Sequence, residues 1–299
     1  MTIPSILTVD LTPHSNSTAT ATTLTASQLK SARDLVATFH RFAFVSVTGH
    51  GLSQQEITEM FAWSKKMLEL PFQEKMKVPH AEEAIPHRGY SRVGREKLYA
   101  RDNVKGGSLR GGEKGHDVLP GFRSYVSDLN ERLASVGEAV VNAIAVGLSM
   151  SPEERDALMQ FSFTLLFQHQ SNALELLDPK TKQYLRDSFP EGALTLNVSD
   201  MLQRFTNAHP SYFISALHRI SVPSANDVTD SGVPARYSIP LFVAPHPSHL
   251  VQTLPRFVSA EKPCRYESIR FQDDDALAAK YTYREGQEQF VGCSQARSI

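Results

Sequence analysis

The order of the hydrophobic periodicities constrains this 299-residue chain most, because helical spacing dominates its first half and short strands dominate its second. The clearest helical pattern runs from Phe122 to Leu148, where apolar residues recur at every third or fourth position. Short β-rich segments follow, at about 162–167, 173–177, 193–198, 213–222 and 236–243. This succession predicts an α+β protein, with a jelly-roll core wrapped by N-terminal helices.

Three regions are predicted along the chain. Residues 1–121 form a helical and strand region, 122–160 supply core-packing helices, and 161–299 make the jelly-roll region. Within the first region, residues 79–121 are rich in Gly, Lys, Arg and His and show little periodicity. The stretch Gly106–Gly115 lacks both a terminal Gly-Lys-Ser/Thr and a preceding apolar strand, which favours a solvated loop over a phosphate-binding one.

The composition excludes several classes of function. Lys and Arg number 31 against 32 Asp and Glu, so there is no basic surplus for nucleic acids or acidic membranes. No apolar run is long enough to span a bilayer, and Met1-Thr2-Ile3-Pro4 does not begin a secretory signal. Two cysteines are too few for a disulfide framework or a thiolate zinc site. We therefore expect a cytoplasmic protein in which His and carboxylate groups would hold any metal.

Most of the 11 histidines have structural explanations. Four lie in polar stretches and are expected to face solvent, and four others lie in turns or near a helix end: His14, His80, His87 and His116, then His40, His50, His246 and His249. His218 differs because it lies in a predicted strand, 18 residues before Arg236 in another. This pair is therefore the main candidate for chemistry.

The connection 222–234 would allow the strands of His218 and Arg236 to be antiparallel neighbours. An imidazole and a guanidinium could then face one interior, and Arg236 with the hydroxyl of Ser238 would suit a carboxylate. Two interpretations remain open on spacing alone. The residues form a metal-plus-acid site, or Arg236 is a buried cation paired with an acidic residue of the protein.

Several segments occur in the order found in a known family. They are Asp200–Asn207, His218-Arg219-Ile220 and Arg236–Phe242, preceded by Phe42–Gly51, Arg88-Gly89-Tyr90 and Leu119–Arg123. Together they resemble the iron(II)/2-oxoglutarate dioxygenases of the isopenicillin N synthase-like group. The resemblance extends from about Ile3 to Tyr283.

The resemblance implies a double-stranded β-helix, which is a jelly roll, with flanking helices. In that family a His-x-Asp pair and a distal His hold Fe(II), leaving positions for 2-oxoglutarate and oxygen. His218 matches the distal ligand, and Arg236 with Ser238 match the pair that binds the distal carboxylate of 2-oxoglutarate. The implied activity is oxidation of a small organic molecule, by hydroxylation or desaturation.

The chain departs from the family at the His-x-Asp pair. In register, Ala157 and Met159 occupy those two positions, and neither is an imidazole or carboxylate ligand. A few tens of residues, including barrel strands and a Tyr-containing segment, are missing between this point and the strand that begins near Ser162. We therefore expect an incomplete jelly roll with an exposed edge, and poor binding of iron and 2-oxoglutarate.

Two functional hypotheses follow. The first is an iron(II)/2-oxoglutarate-dependent oxygenase, in which another side chain replaces the missing ligands: His169, Glu175, Asp178 or His209. The second is a non-catalytic or truncated family member that lacks a complete iron site. The sequence names neither the substrate nor the oligomeric state.

Overall fold

The protein has an α+β architecture, as predicted. The computed structural model describes residues 6–15, 24–80, 89–92, 108–110, 119–159, 163–169, 173–186, 189–207, 213–215, 217–221, 235–243 and 245–273. The helices are α1 (Thr12–Ser15), α2 (Ala26–Phe42), α3 (Gln54–Leu68), α4 (Phe72–Lys75), α5 (Phe122–Gly147), α6 (Pro152–Leu158) and α7 (Asp200–Phe205). The strands are β1 (Thr8–Asp10), β2 (Phe44–Thr48), β3 (Gly89–Ser91), β4 (Ser108–Arg110), β5 (Phe163–Gln168), β6 (Leu174–Leu177), β7 (Tyr184–Arg186), β8 (Leu194–Val198), β9 (His218–Ile220), β10 (Ser238–Val243), β11 (Leu250–Val251) and β12 (Ile269–Arg270).

The chain forms two compact units, of which the first contains residues 1–61, 134–245 and 253–264. Its five-stranded sheet has the order β1-β2-β8-β5-β10, antiparallel except for the β1–β2 pair. Strand residues alternate between two faces. One face of this sheet is apolar and mostly buried, and includes Val45, Leu165, Leu196 and Leu241.

A three-stranded sheet, β7-β6-β9, lies in the same unit. The ring of His218 in β9 meets the ring of Phe44 in β2 edge-on, with centroids 5.4 Å apart. Phe44 pairs with Asn197, so its side chain lies on the face opposite to the apolar face of Val45. This second face, here called the inner face, is therefore the one directed toward the smaller sheet. The described strands of this unit form two sheets and do not close a barrel.

The far edges of both sheets are exposed, as expected from the missing segment. Among the described strands, β10 pairs only with β5 and β9 pairs only with β6. Inner-face residues of β10 are solvent-exposed, with Phe242 at 57%, and all three residues of β9 are exposed. Apolar groups remain in water here because the described part of the chain supplies no covering strand.

Two helix starts in this unit follow the sequence signals. Thr25 caps α2 and Ser151 caps α6, each in a capping box, and Pro152 occupies the first turn of α6. The buried side of α5 in this unit includes Val140 and Ile144, in agreement with the predicted helix from Phe122 to Leu148.

The second unit contains residues 62–133, 246–252 and 265–299. Its antiparallel pair β3–β4 places a strand, Ser108–Arg110, within the stretch Gly106–Gly115 that was predicted to be a loop. Gly89 begins β3 with φ +97°, and a Cβ there would lie 2.5 Å from the carbonyl oxygen of Pro79, so a glycine is required. Trp63 stacks on Tyr125 in the same unit, with centroids 5.4 Å apart. The rest of the predicted loop, at 106–107 and 111–115, lies outside the described residues.

The structure corrects the predicted pairing of the two candidate strands. The strand predicted over 213–222 is observed only at His218–Ile220, and it pairs with β6. The strand that follows Arg236 pairs instead with β5 in the other sheet. The two strands are therefore not neighbours. The domain boundaries at 121 and 160 stay predictions. No helix in the described ranges has the length and apolar character needed to cross a membrane.

A buried ion pair fixes the end of α2 to the turn after β6. Arg41 donates from Nη1 and Nη2 to the two carboxylate oxygens of Asp178, at 2.7 and 2.8 Å. The Asp178 side chain is fully buried, and the guanidinium holds the pKa of its carboxyl well below the usual range. The pair therefore contributes stability above about pH 4, which is lost as acid protonates Asp178.

Replacing Arg41 by methionine should lower the free energy of unfolding by about 3 kcal/mol, because Asp178 would stay buried without its counter-charge. Urea denaturation at pH 7 measures this. Lys30→Met is the matched control, since Lys30 pairs with Asp34 at the surface, and it should change stability by less than about 0.5 kcal/mol. Equal losses in the two variants would contradict the prediction.

Two histidines expected in solvent are buried. His14 and His80 are 2% and 3% exposed, because the segments around them pack into the fold rather than forming open loops. Burial lowers the pKa of His14, whose Nε2 has no hydrogen-bond partner among the described residues. His50, predicted in a turn, is also buried, and its Nε2 lies 2.9 Å from the carbonyl oxygen of Gly192. His87 and His116 lie outside the described residues.

Stability should therefore decline as the pH falls from 7 to 5. The folded state holds His14 neutral, whereas the unfolded chain takes up a proton below about pH 6.5. Thermal unfolding of His14→Met should show a smaller decline over this range than the wild-type chain. Parallel pH profiles for the two proteins would contradict the expectation.

Candidate functional site

The inner face of the five-stranded sheet positions the predicted carboxylate clamp. The amide N of His169 donates to the carbonyl of Tyr237 at 3.1 Å, and the register continues with Gln168 opposite Ser238. Because side chains alternate, Ser238 points to the same face as Gln168, and so does Arg236 two residues earlier. β10 and the residues just before it thus place Arg236 and Ser238 on the same face of the sheet.

Arg236 carries a charge that the described structure leaves uncompensated. Its Nη1 is buried and has no hydrogen-bond partner among the described residues. Burial alone lowers the pKa of this guanidinium. This excludes, for the described part of the chain, the alternative that Nη1 is bonded to an Asp or Glu of the protein. An anionic ligand would supply the missing partner.

His218 approaches the same inner face from the smaller sheet. It pairs with Leu176 in β6, and both side chains lie on the side of that sheet that contains the buried Leu174. The edge-on contact with Phe44 follows from this orientation. His218 therefore lies over β2, which is three strands from the β10 of Ser238 in the five-stranded sheet, and the two are not on adjacent strands.

Two acidic residues considered as replacement iron ligands are committed elsewhere. Glu175 lies on the opposite side of its sheet from His218 and accepts from Arg219 at 2.7 Å and from Arg186 at 3.4 Å. Asp178 is enclosed by Arg41, with both carboxylate oxygens bonded. Neither carboxylate is directed at His218.

Of the two remaining histidine candidates, the structure describes only His169. By alternation, His169 lies on the apolar face of β5, and its ring contacts those of Phe61 and Tyr237 at centroid distances of 5.2 and 6.2 Å. His209 lies outside the described residues. Ala157 belongs to α6, and Met159 follows its end and is exposed.

The described ranges contain no group of three His, Cys, Asp or Glu residues that could hold a metal ion. Iron(II) needs several such donors, and His218 is one. The residues that the structure describes therefore do not fit the iron of the family.

A polar row on the inner face was not identified from the sequence. Gln168 donates from Nε2 to the Thr195 hydroxyl at 3.2 Å, while its Oε1 is buried without a partner in the described structure. Thr195 pairs with Ser46, whose buried hydroxyl is likewise without a described partner. The sequence contained one indication of this row. Thr164 and Gln168 are polar residues on the same face of an otherwise apolar strand, which indicates that this face does not pack on the helices.

Two family profiles match this chain, and between them they cover more than half of it. The N-terminal profile, non-haem dioxygenase in morphine synthesis N-terminal, matches residues 9–111. The 2OG-Fe(II) oxygenase superfamily profile matches residues 149–245, which include the candidate site.

Curated fungal relatives agree with the profiles. The chain is 29% identical to a 2-oxoglutarate-Fe(II) type oxidoreductase of Metarhizium rileyi, with 79% of this chain and 81% of the relative covered. It is 27% identical to a 2-oxoglutarate-dependent dioxygenase of a Dothideomycetidae species, with 75% and 83% covered. The first alignment has 293 positions, whereas 79% of this chain is about 236 residues, so that relative carries residues opposite gaps in this chain.

Solved structures show the same fold. A full-length Neurospora crassa protein in complex with alpha-KG superposes with a TM-score of 0.73 at 22% identity, over 92% of this chain and 95% of that one. A 2OG-Fe(II) oxygenase family protein from Caulobacter crescentus gives a TM-score of 0.70 at 25% identity, over 92% and 97%. These neighbours have the jelly-roll fold that was predicted for the core, although the described strands of this chain do not close into a barrel. The chain therefore belongs to the 2OG-Fe(II) oxygenase family.

Proposed function

We propose that this chain binds 2-oxoglutarate, or a carboxylic acid of similar shape, through Arg236 and Ser238. The observation that carries the proposal is the buried Nη1 of Arg236, which has no partner in the described structure. A buried guanidinium nitrogen without an acceptor is unfavourable, and a ligand carboxylate would supply that acceptor with two parallel hydrogen bonds. Ser238, exposed on the same face, would donate a third.

The scaffold descends from oxygenases acting on small organic molecules, and the proposed ligand keeps the co-substrate chemistry of that family. The chain has the two proposed clamp residues, but its described residues contain no set of three metal ligands. This combination favours binding of the acid without its oxidation. In this proposal His218 is not one of three metal ligands. The protein would be a non-catalytic member of its family.

Calorimetric titration with 2-oxoglutarate in the presence of EDTA tests the clamp. Arg236→Gln should weaken binding by at least about tenfold, because a charge-assisted hydrogen-bond pair is lost. Arg219→Gln is the matched control, since Arg219 is an exposed arginine on the opposite side of β9, and it should bind as the wild-type chain does. Equal affinity in all three proteins, or no binding by the wild-type chain, would reject the proposal.

A second candidate function is favoured by the relatives, which are 2-oxoglutarate-dependent oxidoreductases and dioxygenases. Here the chain hydroxylates or desaturates a small molecule, and iron is completed by residues outside the described ranges. Such a site would use His218 as one ligand, and Arg236 and Ser238 would orient the co-substrate. Bound Fe(II) and 2-oxoglutarate would, with O2 as the oxidant, supply the means to oxidise a C–H bond, with succinate and CO2 as co-products.

We expect the purified chain to bind Fe(II) weakly and to form no succinate above background with Fe(II), 2-oxoglutarate and ascorbate. His218→Ala should leave that background unchanged, because one imidazole does not make a site. Tight iron binding with succinate formation that His218→Ala abolishes would establish the second candidate instead.

The coding sequence provides an independent discriminator. A reading frame near codons 160 to 162 that encodes His-x-Asp and a following Tyr-Gly would show that a longer, iron-binding form of the protein is made. Its absence would support the non-catalytic proposal.

A further inference from the structure

Strand β10 forms one end of the five-stranded sheet, and among the described strands it pairs only with β5. It contains a proline near its middle, Pro240. Proline has no backbone N–H to donate, and it therefore interrupts a sheet wherever that group is needed. The hydrogen-bonding pattern between β5 and β10 explains why the strand continues through this residue.

In an antiparallel pair, residues alternately direct their N–H and C=O groups toward the partner strand and away from it. The amide N of His169 donates to the carbonyl of Tyr237, so the backbone groups of Tyr237 are directed toward β5. The alternate residues Ser238, Pro240 and Phe242 therefore direct theirs away from β5, to the outer edge of the sheet. The missing N–H of Pro240 belongs to this edge, and the pairing with β5 does not require it.

Within its six described residues, β10 has no other feature that protects an edge strand from pairing with another chain. The usual protections are short length, charged side chains, bulges and proline. β10 has the sequence Ser-Ile-Pro-Leu-Phe-Val, without a charge, and its register with β5 continues without a bulge from Ser238 to Val243. Phe242 is 57% exposed. Apart from Pro240, the strand therefore resembles the uncharged, β-rich segments that assemble with copies of themselves.

We propose that Pro240 prevents the β10 edges of two copies of this chain from pairing, and so keeps the protein monomeric although its sheet ends in an exposed strand. The proposal does not depend on carboxylate binding.

The symmetry of such a pair makes the proline effective. Two identical strands paired antiparallel are related by a twofold axis, so each copy contributes the same residues. A pair centred on residue 240 would place the two prolines opposite each other and lose both central hydrogen bonds. In a shifted register the prolines fall at different positions, and each that faces the other copy still removes one bond.

Size-exclusion chromatography of the full chain with light scattering tests the proposal. The wild-type chain should have the mass of one copy, whereas Pro240→Thr should shift with increasing concentration to the mass of two or more. Threonine restores the N–H and favours strands without adding a large apolar side chain. Pro255→Thr is the matched control, because Pro255 is exposed and begins a single turn of 3₁₀ helix outside the sheets, and it should keep the mass of one copy.

A second substitution tests whether the edge N–H groups cause the association. Phe242→Pro added to Pro240→Thr removes another N–H directed to the edge, and it should restore the mass of one copy. Phe242→Ala added to Pro240→Thr removes the exposed ring but keeps the N–H, so this protein should stay associated. Amide hydrogen exchange in associated Pro240→Thr should slow at residue 240, because its new N–H is then bonded across the edge.

Three results would overturn the proposal. They are a wild-type chain that is itself associated, a folded Pro240→Thr that keeps the mass of one copy, and restoration of that mass by Phe242→Ala. The last result would assign the association to the exposed ring. Circular dichroism of each variant shows whether its fold is intact, and Pro240→Val provides a second reading if Pro240→Thr does not fold.

Discussion

Strand β5 is the element on which the first unit depends, because its pairing on both sides joins β8 to β10 in one register. The pairing assigns every side chain of these strands to one of two faces, and a shift by one residue would exchange them. Leu165 is thereby buried in the apolar layer, while Gln168 is directed to the inner face. The clamp on β10 is correctly presented only while this register holds.

The exposed edge of the described sheet and the iron ligands not found among the described residues concern one part of the sequence. The segment that the family resemblance leads us to expect between α6 and β5 would contain both the His-x-Asp pair and covering strands. The described unit is stabilised by contacts such as the Arg41–Asp178 pair and by a buried core that includes Ile144 of α5. The position of Ser238 depends on β5, with which β10 pairs.

Local features of the fold were predictable from the sequence, and pairings between distant segments were not. The helix from Phe122, the caps at Thr25 and Ser151, and the strands β2, β5, β6 and β8 follow from periodicity and from short-range hydrogen bonding. The neighbour relation of the His218 and Arg236 strands was wrong, because strand partners depend on contacts between residues far apart in the chain. The prediction that His14 and His80 face solvent was wrong for a related reason. A polar stretch of sequence does not show which distant segments will pack over its side chains.

The sequence by itself determined the family, and it predicted the clamp residues and the absence of two iron ligands, because these depend on which residues occupy a motif. Only the tertiary structure decided that Glu175 and Asp178 are held by arginines and that His169 lies on the opposite face of its sheet. It also brought Gln168 beside Ser238 and left the Nη1 of Arg236 without a described partner. The physical reason is that a side chain's availability for binding depends on what surrounds it, and those neighbours come from other strands.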